Sequence, residues 1–191
     1  ITEPEKYIVD DSLLISPLLP EEAAKVEITR GPNIKFLPVP EVPQQYLKAG
    51  VSLKARDNVS TDDITPASAE FSSMRSNIPL MSKYCYTRYD PEFSERARKM
   101  GQSFIIGGEN YGQGSSREHA AINPMYLGVR CVIAKSIARI HKGNLVNHGI
   151  IPMLFADPAA YDSIDQGDEL EIENLLDQIP TRKVTVKNVT K

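Results

Sequence analysis

The most constraining feature of this sequence is a glycine-rich turn placed between a strand pattern and a helix pattern. Gln102–Ile106 is a short apolar run rich in β-forming residues, which predicts a buried strand. Gly107–His119 then carries several glycines, two adjacent serines and an arginine, and apolar residues resume at helical spacing from Ala120. The order of strand, turn and helix predicts an α/β layer with the turn at the end of a strand.

The composition of this turn favours the binding of an anion. Its glycines allow the backbone to take positive φ values and to approach a ligand closely. Ser115 or Ser116 is predicted to cap the following helix, with Glu118 placed as in a capping box. The first amides of that helix would attract negative charge, and the Arg117 guanidinium could hold a carboxylate through two hydrogen bonds. The alternative is that the serines are only caps and Arg117 is a solvated surface charge.

Two common phosphate-binding motifs are excluded by the residues of the turn. No Gly-Lys-Ser or Gly-Lys-Thr ending follows the glycines, and no glycine triplet has the spacing of a dinucleotide-binding loop.

Three stretches together resemble one known family. Gly108–His119, which reads Gly-Glu-Asn-Tyr-Gly-Gln-Gly-Ser-Ser-Arg-Glu-His, resembles the signature of the mobile C-terminal domain of the aconitase superfamily, called the swivel domain. Asp57–Ala67 is similar to the other signature of that domain, and Lys135–His141 is similar to the segment that follows its serine motif. The resemblance extends from Asp10 to Leu175.

Strand and helix patterns alternate along most of the chain, which predicts an α/β fold built on a partly parallel sheet, with antiparallel strands near the C-terminus. The resemblance implies a swivelling β/β/α domain with a mixed sheet flanked by helices. Half of the 14 prolines lie before residue 44, which favours an extended arm. We therefore predict a proline-rich arm over residues 1–49 and a swivel domain over residues 50–191.

Both ends of the sequence favour a fragment of a longer, single-chain protein. The first residue is Ile, and the last residues, Lys183–Thr190, alternate as a strand would, so we expect the C-terminus to be truncated.

Charge and cysteine content bound the function. A net charge of −3 argues against nucleic-acid binding as a general role, because neutralising phosphates requires a basic face. Cys85 and Cys131 are too few to hold an iron–sulfur cluster, and no apolar stretch is long enough to span a bilayer. We expect no membrane association and a reducing compartment, either the cytoplasm or, in a eukaryote, the mitochondrial matrix.

The resemblance implies roles for the residues of the serine turn and for one more arginine. Ser115 matches the serine that acts as the base in these enzymes, and Ser116 and Arg117 match substrate-binding positions. Arg75 lies where aconitases carry another arginine that binds a substrate carboxylate, although an exposed loop arginine remains an alternative.

Two further residues are expected to support the site. Asp62 would belong to the wall of the active site and orient polar groups near the serine. The pair Asp62 and Asp63 is more typical of a loop with caps than of a metal site, because hard cations need more oxygen ligands. His119 is expected to make a structural hydrogen bond in the first helical turn. No metal site is predicted.

By resemblance, the parent enzyme would be an aconitate hydratase that interconverts citrate and isocitrate through cis-aconitate. The chain itself would hold no cofactor: a 4Fe-4S cluster would lie in the other domains of the enzyme, which would be its partners, and the isolated chain would be inert. One alternative is the small subunit of an isopropylmalate isomerase or homoaconitase. A second is a non-catalytic RNA-binding module of a cluster-free aconitase.

Overall fold

The computed structural model describes residues 2–191 and divides the chain into two compact units, the first ending at Gly31 and the second spanning Pro32–Lys191. Within the first unit, residues 2–31 are exposed and contain a single helical turn, α1 (Pro20–Ala23). This division does not test the predicted boundary between an arm over residues 1–49 and a domain over residues 50–191, which stays a prediction.

The second unit is built on a six-stranded mixed sheet with the strand order β4-β3-β2-β1-β5-β6. Neighbouring strands from β1 to β4 are parallel, whereas β5 is antiparallel to β1 and β6 is antiparallel to β5. The strands are β1 (Leu47–Lys54), β2 (Ser103–Gly107), β3 (Val129–Ala134), β4 (Ile151–Leu154), β5 (Glu169–Ile172) and β6 (Lys187–Asn188). The predicted mixed sheet, with its antiparallel part near the C-terminus, is confirmed.

Helices fill the connections between the strands. They are α2 (Thr61–Ile64), α3 (Ala69–Ser72), α4 (Ile78–Met81), α5 (Phe93–Met100), α6 (His119–Tyr126), α7 (Arg139–Asn147) and α8 (Leu175–Gln178), with 3-10 turns at Ser82–Tyr84, Pro158–Ser163 and Ile179–Thr181. Over residues 2–191, none of the helices has the length and apolar character needed to cross a bilayer.

The sheet separates two hydrophobic cores because successive residues of a strand point to opposite faces. On β2, Ile105 joins the core that contains residues of α4 to α7, whereas its neighbours Phe104 and Ile106 join the core that contains Leu175 of α8. The central strand β2 is buried along its whole length, as expected for a parallel strand covered on both faces.

Residues 32–46, which precede β1 within the second unit, contact the rest of that unit. The Lys35 N–H donates a hydrogen bond to the carbonyl oxygen of Ser76 at 3.1 Å. Glu41 forms an ion pair of 2.6 Å with Arg130, the second residue of β3. This segment is therefore held at two places, beside the loop that carries Arg75 and at the start of β3.

The parallel strands place the polar motifs at one edge of the sheet. The loop that begins near Asp57 follows β1, the serine turn follows β2, and the segment from Lys135 follows β3. The carboxyl ends of parallel strands meet at the same edge, which is where α/β sheets bind ligands.

A matched pair of glycines tests the connection between α6 and β3. Gly128 has a φ of +94°, and a Cβ atom there would lie 1.9 Å from the carbonyl oxygen of Gly101. We expect Gly128→Ala to lower the free energy of unfolding by about 2 kcal/mol or more, because the backbone would be strained and would have to move. Urea unfolding followed by circular dichroism measures the change.

Gly143, inside α7, is the control, because a Cβ atom there would meet no atom within 4 Å. Gly143→Ala should raise the free energy of unfolding by about 0.5–1 kcal/mol, since alanine is the better helix former. Equal effects of the two substitutions would contradict this account of Gly128.

Candidate functional site

The loop after β1 and the serine turn after β2 are joined through their backbones. Three hydrogen bonds link them: Asn58 N–H to Glu109 O at 2.8 Å, Gly112 N–H to Val59 O at 2.7 Å, and Thr61 N–H to Gln113 O at 2.8 Å. A parallel bridge between Ser60 and Gln113 continues the same pairing. The two polar loops thus extend the pairing of β1 with β2 beyond the ends of the strands.

The close approach of these loops depends on Gly108. A Cβ atom on this residue would lie 2.1 Å from Oδ1 of Asp57 and 2.6 Å from its backbone nitrogen. The same Oδ1 accepts a hydrogen bond of 2.7 Å from the Glu109 N–H. Any side chain at position 108 would therefore separate the two loops.

The serine turn presents its hydroxyl groups to solvent. Ser115 and Ser116 are exposed, and within the described residues 2–191 neither hydroxyl makes a hydrogen bond. The backbone of Ser115 is nevertheless fixed, because its carbonyl oxygen accepts a hydrogen bond of 3.1 Å from Oγ1 of Thr61. Both hydroxyl groups are accessible to a ligand.

The prediction that Ser115 or Ser116 caps the helix is wrong. The helix α6 begins at His119, its N-cap residue is Glu118, and no side chain caps it. Gly112 and Gly114 have φ values of +75° and +104° and keep the turn open, so the serines lie before the helix. The helix amides consequently do not face the serine hydroxyls in the way the capping model required.

Arg117 is paired with Asp62 across the two loops. The guanidinium Nη1 donates to Oδ1 of Asp62, and the side chain of Arg117 is only about 25% exposed. Asp62 lies in the first turn of α2, whose N-terminus is fixed by a capping box between Ser60 and Asp63. The capping box fixes the backbone that carries Asp62, and Asp62 in turn orients Arg117.

Arg75 is brought to the same place through its backbone. The Nε2 atom of His119 lies 2.9 Å from the carbonyl oxygen of Arg75, which accepts a hydrogen bond when Nε2 carries the proton. The carbonyl oxygen of His119 accepts a bond of 3.3 Å from Oγ1 of Thr65. The Arg75 side chain is exposed and forms no ion pair with any residue in the described range 2–191.

The predicted site residues therefore converge on one surface. Contacts join the loop after β1, the loop that carries Arg75 and the N-terminal end of α6. The surface presents the hydroxyl groups of Ser115 and Ser116, the guanidinium group of Arg117 and the carboxylate of Asp62, and the loop that carries the exposed Arg75 is held to it through His119. Such a set can bind a carboxylate and stabilise negative charge that develops on it.

Two buried aromatic residues, His141 beneath the turn and Tyr111 within it, were not assigned to the site from the sequence. The imidazole of His141 is about 1% exposed, and neither of its ring nitrogens has a hydrogen-bond partner among residues 2–191. A Cβ atom on Gly112 would lie 2.1 Å from Cδ2 of His141, and the ring centroids of His141 and Tyr111 are 5.4 Å apart. The histidine forms the floor of the turn. The sequence feature that could have indicated a role for His141 is its position in Lys135–His141, the stretch that is similar to the family segment after the serine motif.

The cysteines do not form a ligand set for a cluster. Cys85 and Cys131 are buried in the two different hydrophobic cores, and burial raises the pKa of both thiols. Across residues 2–191 no three potential ligands among histidine, cysteine, aspartate and glutamate are grouped to hold a metal ion. An iron–sulfur cluster does not fit the residues of this chain.

Comparisons with known proteins agree with the architecture. Residues 54–158 match the family model described as the aconitase C-terminal domain. The chain is 45% identical over 124 residues to 3-isopropylmalate dehydratase small subunit 2 of Archaeoglobus fulgidus, a match over 65% of this chain and 70% of that protein. A crystal structure of 3-isopropylmalate dehydratase from Methanocaldococcus jannaschii has a TM-score of 0.59 and 32% identity, covering 74% of this chain and 81% of that one.

A longer match extends into the N-terminal part of the chain. The putative mitochondrial aconitate hydratase of Aspergillus fumigatus is 31% identical over 204 residues, which cover 92% of this chain. The chain spans only 25% of the length of that protein.

The buried histidine predicts a dependence of stability on pH. Burial lowers the pKa of His141 from 6.5 to about 4. Between these values the unfolded chain binds a proton that the folded chain does not, so the free energy of unfolding should fall as the pH falls. We expect the loss to reach about 3 kcal/mol below pH 4 and to be absent above pH 6.5.

Urea unfolding of the wild type and of His141→Phe over this pH range isolates the contribution. The substitution keeps an aromatic ring but removes the titrating group, so the difference between the two curves should change across this window. A difference that is independent of pH would contradict the assignment.

Proposed function

The chain belongs to the aconitase C-terminal domain family, and on that premise we propose that it is the swivel component of a hydro-lyase. The relatives that it matches are named as hydratases and dehydratases, so they share the addition or removal of water. In this proposal the chain supplies Ser115 and two arginines to an active site that is completed by a partner carrying the iron–sulfur cluster. We also propose the cytoplasm as its location.

We propose 3-isopropylmalate as the first candidate substrate, with the chain acting as a small subunit. The expectation from the sequence placed aconitate hydratase first, but the comparisons support the small-subunit alternative better. The Archaeoglobus small subunit is matched over 70% of its length, and the solved 3-isopropylmalate dehydratase over 81% of its chain.

Aconitate hydratase remains the second candidate because of the N-terminal segment. The match to the Aspergillus hydratase covers 92% of this chain. A match of that extent must include most of the segment before β1, which begins at Leu47. The match to the small subunit covers 65% and leaves room for that segment to have no counterpart. A polypeptide joined to its cluster-bearing domains would need such a connection.

The exposed hydroxyl of Ser115 beside Arg117 is the observation that carries the proposal. In the removal of water from a hydroxy acid, a base takes a proton from the carbon next to a carboxylate, and negative charge builds on that carboxylate. Ser115 would take this proton on Oγ in its deprotonated form, and the electrons of the C–H bond would form the double bond. In this proposal the departure of the hydroxyl group is assisted by the partner component.

The two arginines would bind and stabilise the substrate carboxylates. Arg117 is oriented by Asp62 and retains donors for a second carboxylate, since a guanidinium carries five N–H groups. Arg75 is exposed and would bind another carboxylate. Ser116 would donate a hydrogen bond to the substrate. His119 would keep the Arg75 backbone beside α6.

Loss of activity in Ser115→Ala tests the catalytic role. We expect the chain, assembled with the cluster-bearing component of the same enzyme, to form the unsaturated acid from 3-isopropylmalate, and kcat to fall by roughly 10³-fold in the variant. Absorbance of the product measures the rate, with citrate assayed in parallel.

Ser163→Ala is the control, because Ser163 is exposed and its hydroxyl bonds only the carbonyl oxygen of Ala160. Turnover of citrate alone would select the second candidate. Full activity of Ser115→Ala would reduce that serine to a structural residue.

Arg117→Lys should raise KM for the substrate by about tenfold or more, because lysine cannot form the paired hydrogen bonds of a guanidinium. Asp62→Asn should raise KM less, since the arginine remains but loses its oriented partner. Steady-state kinetics of the assembled enzyme give both values. Arg98→Lys, on the exposed side of α5, is the matched control. An unchanged KM in Arg117→Lys would remove this residue from substrate binding.

A further inference from the structure

We infer that the buried hydroxyl pair of Tyr86 and Tyr111 is a positioning device that fixes the serine turn. The inference about rate rests on the proposed function of Ser115, whereas the inference about the order of the turn does not. Neither tyrosine contacts the exposed surface, so neither is offered as a catalytic residue.

The two phenol groups depend on each other for their hydrogen bond. Tyr86 and Tyr111 are about 0% and 1% exposed, and their hydroxyl oxygens are hydrogen-bonded to each other. Within the described residues 2–191 no other group bonds either hydroxyl. Burial raises the pKa of both phenols, so both are neutral and one donates to the other. A buried hydroxyl without a partner is costly, which makes the pair sensitive to a small displacement.

Tyr86 is held in a backbone conformation that is unusual for an aromatic residue. Its φ is +59°, and a bulky residue in this region persists only where its surroundings determine it. Its carbonyl oxygen accepts hydrogen bonds of 2.7 Å from the N–H groups of both Tyr89 and Asp90. Its ring packs edge-on against Phe93 with the centroids 4.6 Å apart. These contacts hold both the backbone and the ring of Tyr86 in place, so it is a fixed point for the residues that bind it.

Tyr86 connects this fixed point to α2. Its N–H donates a hydrogen bond of 2.9 Å to the carbonyl oxygen of Ile64, the last residue of that helix. Asp62 lies in the same short helix and pairs with Arg117. The position of Tyr86 is therefore tied to one end of the ion pair at the site.

Tyr111 connects the hydroxyl pair to the serine turn. Its N–H donates to the Ser136 carbonyl oxygen at 3.0 Å, and its own carbonyl oxygen accepts from the Ala138 N–H at 2.9 Å. It lies four residues before Ser115 along the chain. A closed series of contacts results, which we call the circuit. It runs from Asp62 and Ile64 of α2 through Tyr86 and Tyr111 to the serine turn, and Arg117 of the turn returns to Asp62.

This circuit explains why a hydroxyl pair occupies a place where two apolar rings would pack. Two phenylalanines would fill similar volume with no polar group to satisfy, but they would lack the directional bond that sets the distance between Tyr86 and Tyr111. The polar pair fixes the register of the turn relative to α2.

The test compares Tyr86→Phe, Tyr111→Phe and the double variant with the wild type. In the full chain, amide hydrogen exchange measured by mass spectrometry should speed up by about tenfold over residues 111–118 in all three, without a change over β5. Each single variant should lower Tm, and the double variant should recover part of that loss, because no unpaired hydroxyl remains. Tyr161→Phe is the control, since its hydroxyl bonds the Ala55 carbonyl oxygen outside the turn.

In the enzyme assembled with its cluster-bearing component, kcat should fall by about tenfold in all three variants with KM nearly unchanged. A double variant that recovers kcat together with Tm would show that the pair serves stability alone and would overturn the inference. Unchanged exchange over residues 111–118 would overturn it as well. If Ser115→Ala remains active while exchange over the turn increases, the proposed function fails and the positioning of the turn stands.

Discussion

The approach of the Gly108 backbone to Asp57 is the constraint on which the site depends. Parallel pairing places the ends of β1 and β2 side by side, but the loops that follow would diverge if a side chain stood at this position. With glycine there, backbone hydrogen bonds continue the pairing of the loops as far as Thr61 and Gln113. Asp62 and Arg117 then come within reach of each other. A backbone effect at one residue thus positions charged side chains several residues away.

The regular elements could be predicted because their signals are local. Apolar runs and alternation predicted the strands, and the strand predicted over Gln102–Ile106 is β2, Ser103–Gly107, shifted by one residue. The predicted C-terminal strand over Lys183–Thr190 shortens to β6, Lys187–Asn188, because β5 pairs with only these residues.

The details of the site could not be predicted because they come from contacts between distant parts of the chain. A serine before a helix pattern is typical of a cap, but here the Ser115 carbonyl oxygen is bound by Thr61, which lies 54 residues earlier. The positive φ of Tyr86 has no sequence signal, since aromatic residues rarely adopt it. The convergence of Arg75, Asp62 and the serine turn was expected from family resemblance, and the structure supplies its physical cause.

The charge of the site indicates why this chain would require a partner. The positive charge of Arg117 is balanced by Asp62 in the resting arrangement, which leaves Arg75 as the remaining positive charge among the predicted site residues. A dicarboxylate or tricarboxylate brings at least two negative charges, and removal of the proton from carbon moves further negative charge onto one carboxylate. In the proposed assembly, where the partner component would cover the site, these residues alone would leave an excess of negative charge away from water, where the energetic cost is highest. We propose that the partner component supplies positive charge to this surface, so substrate binding and assembly are expected to favour each other.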